Sequence, residues 1–189
     1  MICIESKRKR LENIIAKHPH AIICDVTSNS DNGLVKLSPF YPHGHIPVPF
    51  SKGTYGMSVE GIWQGLKVFE NEDIDISYFN NSSMKNLKRT CRTHGKILGH
   101  RNGINGKDIL SYQDAKMQIY IPTYRWVLDN IVGNIINRMA YASVNNEIVL
   151  LDYNTSEDIF CDSKPLSHAY LIKAYILGIY PFNECNNRK

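Results

Sequence analysis

The chain lacks the marks of several protein classes. No stretch of its 189 residues approaches the roughly 20 consecutive apolar residues that a membrane span needs. The cationic start, Lys7-Arg8-Lys9-Arg10, runs into Leu11-Glu12-Asn13-Ile14-Ile15-Ala16-Lys17 and not into the unbroken apolar core of a signal peptide. The five cysteines (Cys3, Cys24, Cys91, Cys161, Cys185) are odd in number, and no two stand at CxxC spacing. Neither a zinc site nor a disulfide framework is therefore expected, and reduced thiols in a cytoplasmic protein are. There is no internal repeat and no low-complexity linker, which favours a single domain over 1–189. Hydrophobic residues at 43% and charged ones at 21% are ordinary for a globular chain and exclude disorder for its bulk. A net charge of +4 suits an anionic ligand but falls short of a DNA-coating protein.

Along the chain, the spacing of Leu11, Ile14 and Ile15 predicts a basic amphipathic helix over 5–17, stopped by Pro19. Residues 21–26 form an apolar run that reads as a buried strand. Residues 38–56 hold four prolines and three glycines, which exclude helix interior and central strand alike. That loop is nevertheless rich in aromatics and histidines, among them Phe40, Tyr41 and His43 after Ser38, as binding loops often are. Val59, Ile62, Leu66 and Phe69 predict a helix from Ser58. Further helices are expected over about 83–92 and 108–141, the latter interrupted or kinked at Pro122, and a core strand over 147–153. Pro165 is expected near the first turn of a last helix that reaches Leu177 before Gly178. The sum is an α+β fold, mainly helical with a few short strands.

Four clusters carry chemically useful side chains. On the helix from Ser58, Glu60, Trp63, Gln64 and Lys67 share a face at i, i+3, i+4 and i+7. Periodicity alone makes this a solvated stripe. Gly61 and Gly65, each costing about 1 kcal/mol inside a helix, argue instead that something approaches the backbone closely, and Trp63 offers a platform for a base or ribose. From Lys85 to Lys107 there are seven cations and no acid, with a loop-like centre around Gly99-His100-Arg101. Such a run is a solvated face or a phosphate clamp; mutual repulsion favours the anion, held chiefly by Arg101. Asp152 to Asp158, after the late strand, reads as a turn more readily than as a source of catalytic carboxylates. Ser167-His168 is no dyad, because adjacent residues on a helix diverge by about 100°.

Read in order, three segments resemble the NADAR family. The first is Leu37-Ser38-Pro39-Phe40-Tyr41-Pro42 with Tyr55 and then Ser58-Val59-Glu60-Gly61-Ile62-Trp63-Gln64-Gly65-Leu66-Lys67; the second is Gly99-His100-Arg101 with Tyr112 and Lys116; the third is Leu150-Leu151-Asp152 with Asp158 and Phe160. The resemblance spans roughly 34–160, between a basic N-terminal helix over 1–20 and a C-terminal helix and tail over 161–189. It implies a hydrolase of N-glycosidic bonds in ADP-ribose-like or nucleotide-like substrates, including ADP-ribose attached to a nucleobase. Carried over by position, Glu60 is the main catalytic carboxylate, Tyr112 stands for the family's aromatic, and Asp158 or Asp152 for its late acid. Ser38, Phe40, Tyr41, His43, Trp63, Gln64, Lys67, Gly99, His100 and Arg101 would hold the substrate. The chain departs from the family pattern at Gly61 (for His), Pro39 (for Asn), Tyr112 (for Trp) and Phe160 (for Trp). The chemistry calls for no metal or cofactor; His43 and His45 lack a third ligand. A non-catalytic module that binds ADP-ribose or a nucleotide, and a nucleic-acid-interacting protein using 85–107, are the competing expectations.

Overall fold

The structure, a computed structural model, describes residues 1–181. In chain order it contains β1 (Ile2–Ser6), α1 (Leu11–Lys17), β2 (Ile22–Asp25), a 3-10 turn (Leu34–Leu37), β3 (Ile46–Pro47), β4 (Tyr55–Gly56), α2 (Val59–Gly65) and β5 (Lys67–Phe69). There follow a second 3-10 turn (Ile76–Asn80), α3 (Cys91–His94), β6 (Ile97–Arg101), β7 (Ile109–Leu110), α4 (Tyr112–Ala115), a π turn (Lys116–Tyr120), α5 (Ile121–Asn130), α6 (Gly133–Asn145), β8 (Ile148–Asp152) and α7 (His168–Ile176). The class is α+β. Two compact units divide the chain: Met1–Ser38 together with the chain from Leu128 onward, and Pro39–Val127.

In the first unit β8 is the middle strand of a parallel sheet, with β1 and β2 on its two edges. A middle strand covered on both faces reads as a continuous apolar run; Ile148 to Leu151 is one, and every residue of β8, the closing Asp152 included, is buried. Ile14 of α1 packs with Val149 and Leu151, and Cys3, Ala21 and Ile23 close around them. The helix expected over 5–17 begins only at Leu11, because residues 2–6 pair instead with β8 in the register Ile2↔Ile148 to Ser6↔Asp152. That partner is remote in sequence and leaves no local periodic trace. α7 is capped by the Ser167 hydroxyl, which accepts from the Tyr170 N–H, and stops at Gly178, whose φ is +71°. Pro165 stands two residues before that cap, just ahead of the first turn. The C-terminal tail beyond 181, with Cys185, lies outside the described residues; Cys3, Cys24, Cys91 and Cys161 are not disulfide-bonded.

The second unit holds the antiparallel β5–β6–β7 sheet and the two-residue β3–β4 ladder within the proline-rich loop. The helix predicted through Phe69 ends at Gly65, and Lys67–Phe69 is strand β5, paired with β6. Val59, Ile62, Leu66 and Phe69 are all buried, so the apolar spacing was satisfied by a helix followed by a strand. The helix expected over 83–92 shrinks to α3. Asn81 and Ser83 bond neighbouring backbone instead, with Asn81 Nδ2 donating to the Lys85 carbonyl at 2.9 Å and the Ser83 N–H to Asn81 Oδ1 at 3.0 Å. The region 108–141 is likewise broken. It opens with β7, and its real interruption falls at 131–132 between α5 and α6. Pro122 lacks an N–H and acts on the turn before it: the Ile121 N–H reaches back to Lys116, and the Thr123 hydroxyl takes up the Ile119 carbonyl at 2.6 Å.

Candidate active site

α2 begins at a Ser58 cap, whose hydroxyl accepts from the Gly61 N–H at 3.0 Å, and the Glu60 N–H donates to the Pro39 carbonyl at 2.8 Å. The aromatic loop that follows Pro39 is thereby tied to the helix that carries Glu60. The glycines of α2 are explained by the protein itself. A Cβ on Gly61 would stand 2.6 Å from the Tyr78 carbonyl oxygen, and one on Gly65 would stand 2.4 Å from the Phe79 ring. The close approach inferred from sequence is therefore made by the 3-10 turn Ile76–Asn80.

The polar face of α2 is not a solvated stripe. Glu60 is 8% exposed, Gln64 5% and Lys67 8%. Gln64 Nε2 donates to Glu60 Oε1 at 2.8 Å, while Gln64 Oε1 accepts from Lys67 Nζ at 2.8 Å and from the Arg89 N–H at 3.1 Å. Two donors on one amide oxygen fix the orientation of the amide, and the amide in turn fixes the carboxylate. Burial, the largest influence, pulls the Lys67 ammonium below its ordinary range, opposed by the charge of Glu60. Arg89 is wholly buried at its side chain. Its fork donates to the Gln64 and Lys67 carbonyls at 3.3 and 2.7 Å and to the Asp73 carbonyl at 2.8 Å, and meets Glu72 at 3.3 Å. It thus takes up the Gln64 carbonyl at the C-terminal end of α2 and the Lys67 carbonyl just beyond it, with a positive charge placed where the helix dipole favours one.

Four rings stand beside this network. The His100 ring lies on Trp63 with centroids 3.7 Å apart and planes inclined by 31°, and the edges of Tyr112 and Tyr120 meet Trp63 at 6.0 and 5.5 Å. The Trp63 platform is therefore covered on one side by His100. His100 is 1% exposed, and among the described residues both ring nitrogens are without a hydrogen-bond partner. Burial, aided by the Lys67 charge, lowers its pKa to about 3, so the imidazole is neutral at physiological pH. Lys116 is 2% exposed, with its ammonium 5.0 Å over the Tyr112 ring. Glu60, Lys67, Arg89 and Lys116 thus form a concentration of buried charge of the kind found more often at functional sites than in inert cores.

The remaining predicted residues are placed differently. Arg101 Nη2 donates to both oxygens of Asp73 at 2.7 Å, and Nη1 donates to the Lys107 carbonyl at 3.0 Å; the guanidinium holds the Asp73 carboxyl below its usual range. Gly99, at φ +149°, lies where a Cβ would come within 2.2 Å of the Leu110 carbonyl, so strand packing demands it. The Tyr41 and His43 rings meet at a tilt of 52° with centroids 4.8 Å apart, and the Lys88 ammonium lies 5.8 Å over Phe40. Ser38, Asp152 and Asp158 belong to the other unit. There Asp158 is exposed and accepts from the Phe160 N–H at 2.8 Å, the behaviour of a turn residue. Asp152 is buried; Oδ2 accepts from the Ser167 hydroxyl at 2.7 Å and faces His168 Nδ1 at 3.0 Å, while His168 Nε2 faces the Val26 carbonyl at 2.9 Å. An imidazole with an acceptor at each nitrogen is protonated. Tyr120 was not singled out from sequence, Arg89 entered only as one of seven cations in the basic run and Lys116 only within the second resembling segment, although Tyr112, Lys116 and Tyr120 recur at i, i+4 and i+8 as residues on one helical face do.

The fold and the site together define an α+β protein built around a buried, hydrogen-bonded carboxylate beside aromatic and cationic side chains. The chain belongs to a family of unknown function, DUF6939, which matches residues 6–172. No curated protein and no solved structure matches it.

Proposed function

We propose that this chain hydrolyses N-glycosidic bonds in an ADP-ribose- or nucleotide-type substrate, including ADP-ribose carried on a nucleobase, with Glu60 as the principal carboxylate. The observation that carries the reading is the burial of Glu60 in one orientation against Gln64, next to Trp63 and the buried cations. Cleavage of a ribose–base bond develops oxocarbenium charge on the sugar, which a fixed carboxylate stabilises while it or a second one activates water. Tyr112 stands in the position of the aromatic in the NADAR resemblance, and neutral His100 offers polar nitrogens to a bound group. With the Arg101 fork engaged by Asp73, the exposed Lys85, Lys88, Arg92, Lys96 and Lys107 are the better candidates for meeting phosphates, those of a nucleic-acid-borne substrate included. Among the described residues no helix is long and apolar enough to cross a membrane, and a cytoplasmic, cofactor-independent enzyme is part of the proposal.

The test incubates the protein with ADP-ribosylated nucleic acid and, separately, with free nucleotides, and follows released base or ADP-ribose by mass spectrometry. Glu60→Gln keeps the shape of the side chain and should lower turnover by roughly 100- to 10,000-fold with an unchanged circular-dichroism spectrum. A Gln variant as active as the parent removes the proposal.

One observation favours a second reading, a module that binds such ligands without turning them over. Gly61 occupies the position of the family's His and has no room for a side chain. Calorimetric binding with no released product would support it, and clean turnover excludes it.

A further inference from the structure

Away from Glu60, three side chains of metal-ligating type meet at the edge of the parallel sheet from which β8 starts. Cys3 lies in β1, His18 follows the last turn of α1, and Glu147 immediately precedes β8. Cys3 Sγ is 3.4 Å and His18 Nδ1 2.8 Å from the same oxygen, Glu147 Oε1, and one donor atom from each of the three lies within 4.8 Å of the others. Such spacings suit donors that share one ion, since zinc takes thiolate at about 2.3 Å and imidazole or carboxylate at about 2.0–2.2 Å. The far ring nitrogen of His18 meets Glu5 Oε1 at 3.3 Å, and Glu5 is itself held by Lys17 at 2.5 Å and Lys9 at 2.7 Å. A carboxylate on the remote nitrogen of a histidine is the arrangement that orients metal-bound imidazoles. His18 is 8% exposed while Glu147 reaches the surface, so the cluster has a buried side and an entry path.

We propose that Cys3, His18 and Glu147 bind a zinc ion, with Glu5 orienting His18 from behind. The charges suit a divalent ion: one thiolate and one carboxylate balance it, with the imidazole neutral. The thiol proton and the proton held between His18 Nδ1 and Glu147 leave to solvent when the ion enters, while the Nε2–H of His18 keeps donating to Glu5. Three protein ligands leave a fourth position for water, the pattern of zinc sites that keep an open coordination place. This inference is independent of the reaction proposed for Glu60, because every residue in it belongs to the other unit.

The experiment strips the full chain with a chelator, removes the chelator and titrates Co²⁺ alone, reading absorbance. The expected result is one equivalent bound, with a thiolate-to-cobalt charge-transfer band in the near ultraviolet and visible bands of four-coordinate cobalt, all abolished by one equivalent of Zn²⁺. Cys3→Ser should lose the charge-transfer band. Glu147→Gln, a partly exposed position that should leave the fold intact, should weaken binding at least 10-fold. Glu5→Gln should keep the band and weaken binding about 10- to 100-fold. No stoichiometric binding to the parent chain overturns the proposal, as does a band that persists in Cys3→Ser and so arises from another cysteine.

Discussion

Replacing Gly61 with Ala sets two physical effects against each other, and their sizes decide the sign. Helix propensity favours Ala by up to about 1 kcal/mol. Against this, the new Cβ would stand 2.6 Å from the Tyr78 carbonyl oxygen, 0.8 Å inside the 3.4 Å at which ordinary contact begins. The obstacle is backbone. It belongs to a turn pinned by the Met57 N–H on the Phe79 carbonyl at 2.7 Å and by the Asp75 N–H on the Gly65 carbonyl at 2.9 Å. Moving it disturbs those bonds, and overpacking of this kind costs about 1–3 kcal/mol. The expected outcome is a net loss of about 1–2 kcal/mol, read as a lower denaturation midpoint at unchanged slope and a Tm lower by roughly 2–8 °C. Gly65→Ala, which drives a Cβ to 2.4 Å from the buried Phe79 ring, should behave alike. Gly133→Ala is the control: at the first position of α6 its nearest neighbour is the Leu128 carbonyl at 3.8 Å. There the same substitution should stabilise by a few tenths of a kcal/mol, up to about 1. If Gly61→Ala matched or exceeded the parent in stability while Gly133→Ala behaved as expected, the close packing of α2 on residues 76–80 would be refuted.

Two of the buried histidines, His168 and His100, should titrate in opposite senses. Burial works against a charge on His168, but the hydrogen bond and charge of Asp152 outweigh it and raise its pKa above the ordinary 6.5; burial also opposes ionisation of Asp152, and its bond to His168 brings it below 3.8. The His168 contribution to stability is therefore fully present below pH 6.5 and lost as pH rises through the folded value, while that of Asp152 is present above pH 3.8 and lost as pH falls through its own. Denaturation across pH should show both losses, and Asp152→Asn should cost about 3–5 kcal/mol by stranding a buried charge. A flat profile that His168→Asn leaves unchanged would dismiss the pair. In the same chain the His100 imidazole should stay neutral down to about pH 3, which histidine NMR shifts would report; a titration near pH 6 at His100 would contradict its burial. Glu5, lowered to about 2 chiefly by its bonds to Lys17 and Lys9, adds stability above pH 4.5 that is lost as pH falls toward 2, so the acid unfolding of Glu5→Gln should begin from a lower plateau and be shallower.

What the sequence could show was decided by range. β8 was visible because a strand paired on both edges must be apolar at successive positions, and Ile148-Val149-Leu150-Leu151 is. The Ser58 start of α2 and the Gly178 end of α7 were visible because caps are local chemistry. β1 was not, since Ile2–Ser6 becomes a strand only by meeting β8, and β5 was hidden because Leu66 and Phe69 continue a helical spacing that strand burial also satisfies. At the candidate site, the i, i+4, i+7 relation of Glu60, Gln64 and Lys67 could be read from spacing, but not whether that face met water or protein. Arg89 settles the matter. A cation that read as one of seven in a run suited to an anion is instead buried against the end of α2, bonded to Gln64 and to the Lys67 carbonyl. The metal-ligating cluster marks the same limit from the other side, because a search for ligand spacing along the chain cannot bring Cys3, His18 and Glu147 together when only the parallel sheet does.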